Sequence, residues 1–326
     1  MPFADITGHE RIIEVLRRSV ISGKVPHAYI FEGICGIGRR LTAMSLLQAV
    51  FCRAFDGDAC GICPSCRKIA GGNHGDIHLV EPLPDKRDIS IDQLREMQRE
   101  LSLRPYEAPR KACIVEPAER MSTGAANSLL KTLEEPPGNA LLILITENAD
   151  MLLPTIRSRC QLIRFSPLPP EHLCTLLVRN GLSPDQAGII APFSDGSVRK
   201  ALESDSSALE PRRAAVMECL TGLNDASIMT VFDASETLGG SREDALSSLD
   251  LMIGLVRNTI HFHAGHGDGL SEYDRRAVES VAMRIPIQKA LQILDDILFT
   301  RRAIHRNANS RLALDCLFMR LAGSFS

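Results

Sequence analysis

Apolar and polar positions change period several times along the chain. Ile12, Val15 and Leu16 recur at helical spacing within residues 11–18, predicting a first helix with Thr7 or Gly8 as its cap. The run His27-Ala28-Tyr29-Ile30 reads as a short buried strand, and residues 41–51 read as a helix. A strand is expected to follow Gly75, through His78 to Val80. Residues 89–97 read as a strand end, an N-cap (Ser90 or Asp92) and a helix. Lys111 to Val115 is an apolar strand that runs into the acid Glu116. Residues 125–135 form a helical pattern stopped by Pro136 and Pro137. Leu141 to Ile145 is wholly apolar and ends at the polar Thr146, which suits a central strand of a parallel sheet. A last short strand is expected over 161–165.

This alternation predicts a doubly wound α/β domain over residues 1–166. Pro167, Pro169 and Pro170 mark a linker, and a small helical unit follows to about residue 207. Beyond residue 208 the patterns are helical, over 214–220, 245–262, 286–302 and 310–321, with a loop at 265–269. There is no internal repeat and no low-complexity tail.

Gly33 and Gly38 stand at the two glycine positions of a phosphate-binding P-loop, with Gly36 between them, in the required strand–loop–helix context. The next two positions depart from the motif. A working loop has Lys for the β- and γ-phosphates and Ser or Thr for Mg²⁺. Here they are Arg39 and Arg40. Arg39 keeps a positive charge on a larger, planar group, and Arg40 has no hydroxyl. The strand ending at Glu116 has a related defect. Where P-loop ATPases often carry a water-activating Glu after the first acid, this chain has Pro117, which has no carboxylate.

Cys52, Cys60, Cys63 and Cys66 fall together, the last three as C-x-x-C-x-x-C. Two-residue spacers aim both thiolates at one centre, and four thiolates would make a closed, structural Zn²⁺ site. The alternatives are reduced thiols filling a small core, or a redox pair. His74 and His78 lie nearby, but the cysteine shell is already complete, so both read as structural. Cys113, Cys174, Cys219 and Cys316 are isolated and read as packing.

Composition narrows the class. Hydrophobic residues at 44% and charged residues at 24% are ordinary for a soluble globular chain. A net charge of −3 argues against a strongly basic nucleic-acid binder. The absence of a long apolar run and of a signal-like N-terminus predicts a cytoplasmic protein with no membrane span.

In this order, the motifs resemble the clamp-loader subunits of the bacterial DNA polymerase III holoenzyme, an AAA+ family, and its delta-prime branch above the others. The residues that carry the resemblance are His27-Ala28-Tyr29, the P-loop, the cysteine insert after its helix, residues 127–137, residues 153–160 and Gly196-Ser197-Val198-Arg199. It is dense to about residue 205 and only a helical pattern beyond. It implies an AAA+ domain (1–166) with a zinc module at 52–66, a helical lid (167–207) and a helical oligomerisation collar (208–326). Implied partners are gamma/tau and delta subunits, with the sliding clamp and primer-template DNA reached through the complex. Gamma/tau subunits are the ATPases of the family, and Arg39, Arg40 and Pro117 set this chain with its silent members. The family's Ser-Arg-Cys motif falls on Ser158, Arg159 and Cys160, which implies that Arg159 acts in trans as an arginine finger, an ordinary helix-end ion pair being the other reading. Thr146 and Arg199 match the sensor positions, with vestigial or packing roles expected. The competing functions are a gamma/tau-type ATPase with unusual residues and a stand-alone zinc-dependent DNA-binding protein.

Overall fold

The computed structural model describes residues 2–54, 57–191, 194–203, 206–222, 228–265 and 272–324. It divides into two compact units, Met1–His172 with Gly196–Arg199, and Leu173–Asp195 with Lys200–Ser326. No helix of the described residues is long and apolar enough to cross a membrane.

The first unit contains α1 (Glu10–Ile21), β1 (Ala28–Glu32), α2 (Arg39–Phe51), α3 (Pro64–Ala70), β2 (Ile77–Val80), α4 (Ile91–Ser102), β3 (Ala112–Val115), α5 (Thr123–Glu134), β4 (Leu141–Thr146), α6 (Pro154–Arg157) and β5 (Gln161–Arg164). The strands form one parallel sheet in the order β2-β3-β4-β1-β5. The three central strands are apolar and almost wholly buried, as a sheet covered on both faces requires. On one face Leu46, Leu47 and Phe51 pack with Phe3, Leu16 and Tyr29, and on the other Leu94, Met97, Leu129 and Leu133 pack with Ile30 and Leu144. All strands run the same way, so Gly33, Glu116 and Thr146 lie together at the carboxyl ends of the three central strands. Those ends are where open α/β sheets place ligands.

Local signals explain several boundaries. Ser90, not Asp92, caps α4, in a capping box with Gln93. Helix α5 stops at Glu134, ahead of the two prolines. Helix α1 departs from expectation: its N-cap is His9, left-handed at φ 63°, not Thr7 or Gly8. The His9 ring Nε2 lies 2.9 Å from the Ile37 carbonyl, a tertiary contact that fixes the helix start and that no local rule reveals. Helix α2 begins at Arg39, two residues before the expected start, because Gly38 turns the chain directly into it.

The second unit is helical. It holds most of α7 (Pro170–Arg179) and α9 (Val198–Glu203), with α8 (Pro184–Ile190), α10 (Ser206–Gly222), α11 (Ile228–Leu238), α12 (Arg242–His263), α13 (Glu272–Ala282), α14 (Ile287–His305) and α15 (Ser310–Ser324). Pro170 opens α7 and is not part of a linker. Its core is built on Leu249, Met252, Leu255, Ile293, Ile297 and Phe318. Of the expected loop at 265–269, all but Gly265 lies outside the described residues.

Candidate functional site

The P-loop follows β1, and Gly36 and Gly38 both take left-handed backbone, at φ 82° and 98°. Gly36 is held by close approach as well as by φ. A Cβ there would lie 2.3 Å from Ser197 Oγ and 2.5 Å from Arg199 Cβ. The segment 196–199 packs directly on the loop: Ser197 Oγ donates to the Cys35 carbonyl at 2.8 Å, and the Val198 N–H donates to the Gly36 carbonyl at 3.0 Å. Arg199 places Nη1 3.6 Å from Cys35 Sγ.

Both arginines after the loop are committed to acceptors within the chain. Arg39 is 5% exposed, and its Nη1 donates to the Thr146 carbonyl at the end of β4. Arg40 donates to Glu81 and lies 3.6 Å from Glu116. Burial pushes the Glu116 carboxyl up, and the guanidinium groups of Arg40 and Arg39 oppose that. Thr42 supplies the nearest hydroxyl in α2, and it donates to the Gly38 carbonyl at 2.9 Å. Thr146 is fully buried, and its hydroxyl donates to the Asn148 carbonyl and accepts from the Asn148 N–H. Pro117 leads into a 3₁₀ turn, Ala118–Arg120, whose Glu119 accepts from the Glu147 N–H at 3.3 Å.

The four cysteines converge. Cys52 ends α2, Cys63 caps α3 with Pro64 next to it, and all four sulfurs lie within 4.8 Å of one another. Four sulfurs around a tetrahedral Zn²⁺ at Zn–S of about 2.3 Å would be about 3.8 Å apart, so the set fits such an ion with a small contraction. Backbone N–H groups already point at sulfur: Cys60 N to Cys52 at 3.3 Å, Cys63 N to Cys60 at 3.4 Å and Cys66 N to Cys63 at 3.5 Å. Burial raises the Cys63 thiol, but the N–H groups of Arg53 and Cys66 and the adjacent thiols outweigh it and bring it to about 6. Burial dominates at Cys66, which is pushed up to about 12. Among the described residues this is the one cluster of His, Cys, Asp or Glu able to share an ion.

His74 and His78 stand apart from it. Buried His74 accepts from the Asp76 N–H and packs on Phe51 at 5.4 Å, and His78 Nε2 lies 3.8 Å from Glu100. Burial lowers the pKa of both. Two carboxylates passed unnoticed in the sequence organise this region. Asp76 accepts from the N–H groups of Tyr106, Glu107 and Ala108. Asp58 accepts from Phe3 N at 2.8 Å and Ala4 N at 3.3 Å, clipping the N-terminal turn to the cysteine module.

Arg159 lies just after α6, half-buried. Its Nη1 donates to the Thr155 carbonyl at 3.0 Å and to Ser158 Oγ at 3.3 Å, and its Nη2 donates to Glu134 at 2.7 Å. Glu134 ends α5 within the same 127–137 stretch that marks the family, yet nothing in the sequence pairs it with Arg159.

A sequence model of the family described as "DNA polymerase III, delta subunit" matches residues 8–169. The DNA polymerase III subunit delta' of Bacillus subtilis is 30% identical over 316 residues, 95% of each chain. The delta' subunit of Pseudomonas aeruginosa is 30% identical over 308 residues, 91% of this chain and 92% of that one. The gamma/tau subunit of Mycobacterium tuberculosis is 33% identical over 178 residues, 54% of this chain and 31% of its own. Among solved structures, a DNA polymerase III gamma subunit-related protein of Thermotoga maritima aligns at 21% identity and a TM-score of 0.43, covering 96% of this chain and 99% of that one. In sequence, likeness to the Mycobacterium tuberculosis gamma/tau subunit covers 54% of this chain, whereas likeness to the two delta' subunits covers 91–95% of it. The chain belongs to the delta-prime family of bacterial DNA polymerase III subunits.

Proposed function

We propose that this chain is a delta-prime-type subunit of the DNA polymerase III clamp loader that does not hydrolyse ATP itself. It takes its place in a ring with gamma/tau and delta subunits in the cytoplasm, and the ring loads the sliding clamp on primed DNA. The observation that carries the silent reading is the commitment of Arg39 to Thr146 and of Arg40 to Glu81 and Glu116. The two side chains that would have to serve phosphate and metal are turned onto the protein's own acceptors. Pro117 removes the second carboxylate independently. Gly33, Gly36, Gly38 and Arg39 thus form a degenerate loop whose work is structural.

What the chain offers catalysis is Arg159, which would project into the nucleotide site of a neighbouring ATPase subunit and stabilise charge on the transferred phosphoryl group. The cysteine module would hold one Zn²⁺ on Cys52, Cys60, Cys63 and Cys66, closed to substrate and structural in role. The segment 167–207 would act as lid and 208–326 as collar.

The test is reconstitution. The purified chain should show no ATP turnover above background, and with gamma/tau and delta subunits from the same cell it should give a complex with DNA-stimulated ATPase and clamp loading. Turnover by the chain alone in the ordinary ATPase range would favour the gamma/tau-type reading.

A further inference from the structure

The ion pair between Arg159 and Glu134 points to a function for Glu134. The Arg159 guanidinium is gripped from two sides. Its own turn takes Nη1 through the Thr155 carbonyl and Ser158 Oγ, and the Glu134 carboxylate takes Nη2 at 2.7 Å. Glu134 is the last residue of α5, where the negative end of the helix dipole adds to the attraction for a cation. Among the described residues, the Nε–H of Arg159 has no acceptor. The pair is open to water, with side-chain exposures of 35% for Arg159 and 52% for Glu134. An exposed pair of this kind is weak, no more than about five-fold in an equilibrium.

We infer that Glu134 is the positioning residue of Arg159: its carboxylate parks the guanidinium at the end of α5 and partly neutralises it, then yields it to the more highly charged phosphate of a neighbouring subunit's nucleotide. The inference rests on the arginine-finger reading of Arg159. Weakness is what makes the contact suitable. A strong, buried pair would keep the guanidinium from phosphate altogether, whereas an exposed one gives way to a better-matched anion. The grip by Thr155 and Ser158 remains in both states, so the finger stays on its turn while Nη2 and Nε become available to phosphate.

The test uses the assembled loader in single-turnover ATP hydrolysis without DNA, with Arg159→Ala, Glu134→Gln and the double variant. The phase that Arg159→Ala removes identifies the site bordering this subunit. Glu134→Gln keeps the shape of the side chain and deletes its charge. It should speed that phase, by up to about five-fold at sub-saturating ATP, and less at high salt. Glu134→Asp, which keeps the charge, should move it less. In the Arg159→Ala background Glu134→Gln should have no effect, an outcome that general loosening of α5 would not produce. If Arg159→Ala removes no phase in an intact complex, the finger reading falls and this inference with it. If Arg159→Ala removes a phase that Glu134→Gln leaves unchanged or slows, the finger stands and the parking role of Glu134 is overturned.

Discussion

Asp76 shows how much one side chain can organise. It is fully buried between two histidines, and its carboxylate accepts from the N–H groups of Tyr106, Glu107 and Ala108. Burial alone would raise its pKa; the three N–H donors outweigh it and hold it below the ordinary carboxylate value. A folded-state pKa below the unfolded one means the stabilisation is complete above about pH 4 and is lost as pH falls through the folded-state value. Asp76→Asn should therefore destabilise the protein at pH 7, by about 2–3 kcal/mol for weakened charge-assisted bonds. Urea unfolding at pH 7 and pH 3 checks this, and the gap between variant and wild type should narrow at the lower pH. Gly36 makes a different demand, for space. With φ at 82° and a would-be Cβ 2.5 Å from Arg199 Cβ, Gly36→Ala should cost about 1–3 kcal/mol, read as a lower urea midpoint with unchanged slope. Neither residue role was legible beforehand. The glycine could be read as part of a loop motif, but its contact with Ser197 and Arg199 joins positions about half the chain length apart. Asp76 gave no local signal, because its partners lie some thirty residues on.

At the scale of elements, legibility followed burial. Strand β4 was read with the bounds that it has, because Leu141 to Ile145 is apolar without interruption and only a doubly covered strand tolerates that. Helices α11 and α13 were not read at all. Yet in α13, from Glu272 to Ala282, the apolar Tyr273, Ala277, Val278 and Val281 do recur at helical spacing between charged residues, so the signal was present and was passed over. The cysteine spacing announced that four sulfurs would meet, but not that Asp58 would tie the N-terminal turn to the same module. That tie has a consequence for metal loss. Stripping the metal should disorder 52–66 and also release Phe3 and Ala4, whose N–H groups depend on Asp58. Amide exchange after chelation should rise in both segments, with the sheet still protected; metal analysis of protein purified without chelator should find one zinc per chain. The P-loop and the strand ending at Glu116 must be considered together. Arg39→Lys with Arg40→Thr rebuilds the loop motif, yet it strips Thr146, Glu81 and Glu116 of their partners and leaves Pro117 in place. The double variant should stay without ATP turnover, and clear hydrolysis would show that the residue at 117 is not limiting.

For the whole molecule, the two units present different problems of cohesion. The first is a sheet sealed on both faces. The second is a set of helices packed around Leu249, Met252, Leu255, Ile293, Ile297 and Phe318. Charge also ties these helices together. Asp250 on α12 meets Lys200 of α9 at 2.7 Å and Arg301 of α14 at 2.7 Å, and Lys200 also reaches Asp195 at 2.9 Å. One carboxylate, 19% exposed, thus joins three helices distant in sequence. Its partners keep about a third of their surface in water, which places the network between a surface pair of little value and a buried one whose disruption is severe. Asp250→Ala removes the shared acceptor and leaves Arg301 without its carboxylate, whereas Lys200 keeps Asp195. The expected loss is about 1–3 kcal/mol. Because the groups belong to the second unit alone, the loss should fall on that unit: amide protection should drop in α9, α12 and α14 and stay unchanged in β1, β3 and β4. Raising salt should weaken the wild type toward the variant, since screening acts on the half-exposed partners. Equal loss of protection in the sheet would mean that the network supports the entire chain and not the helical unit.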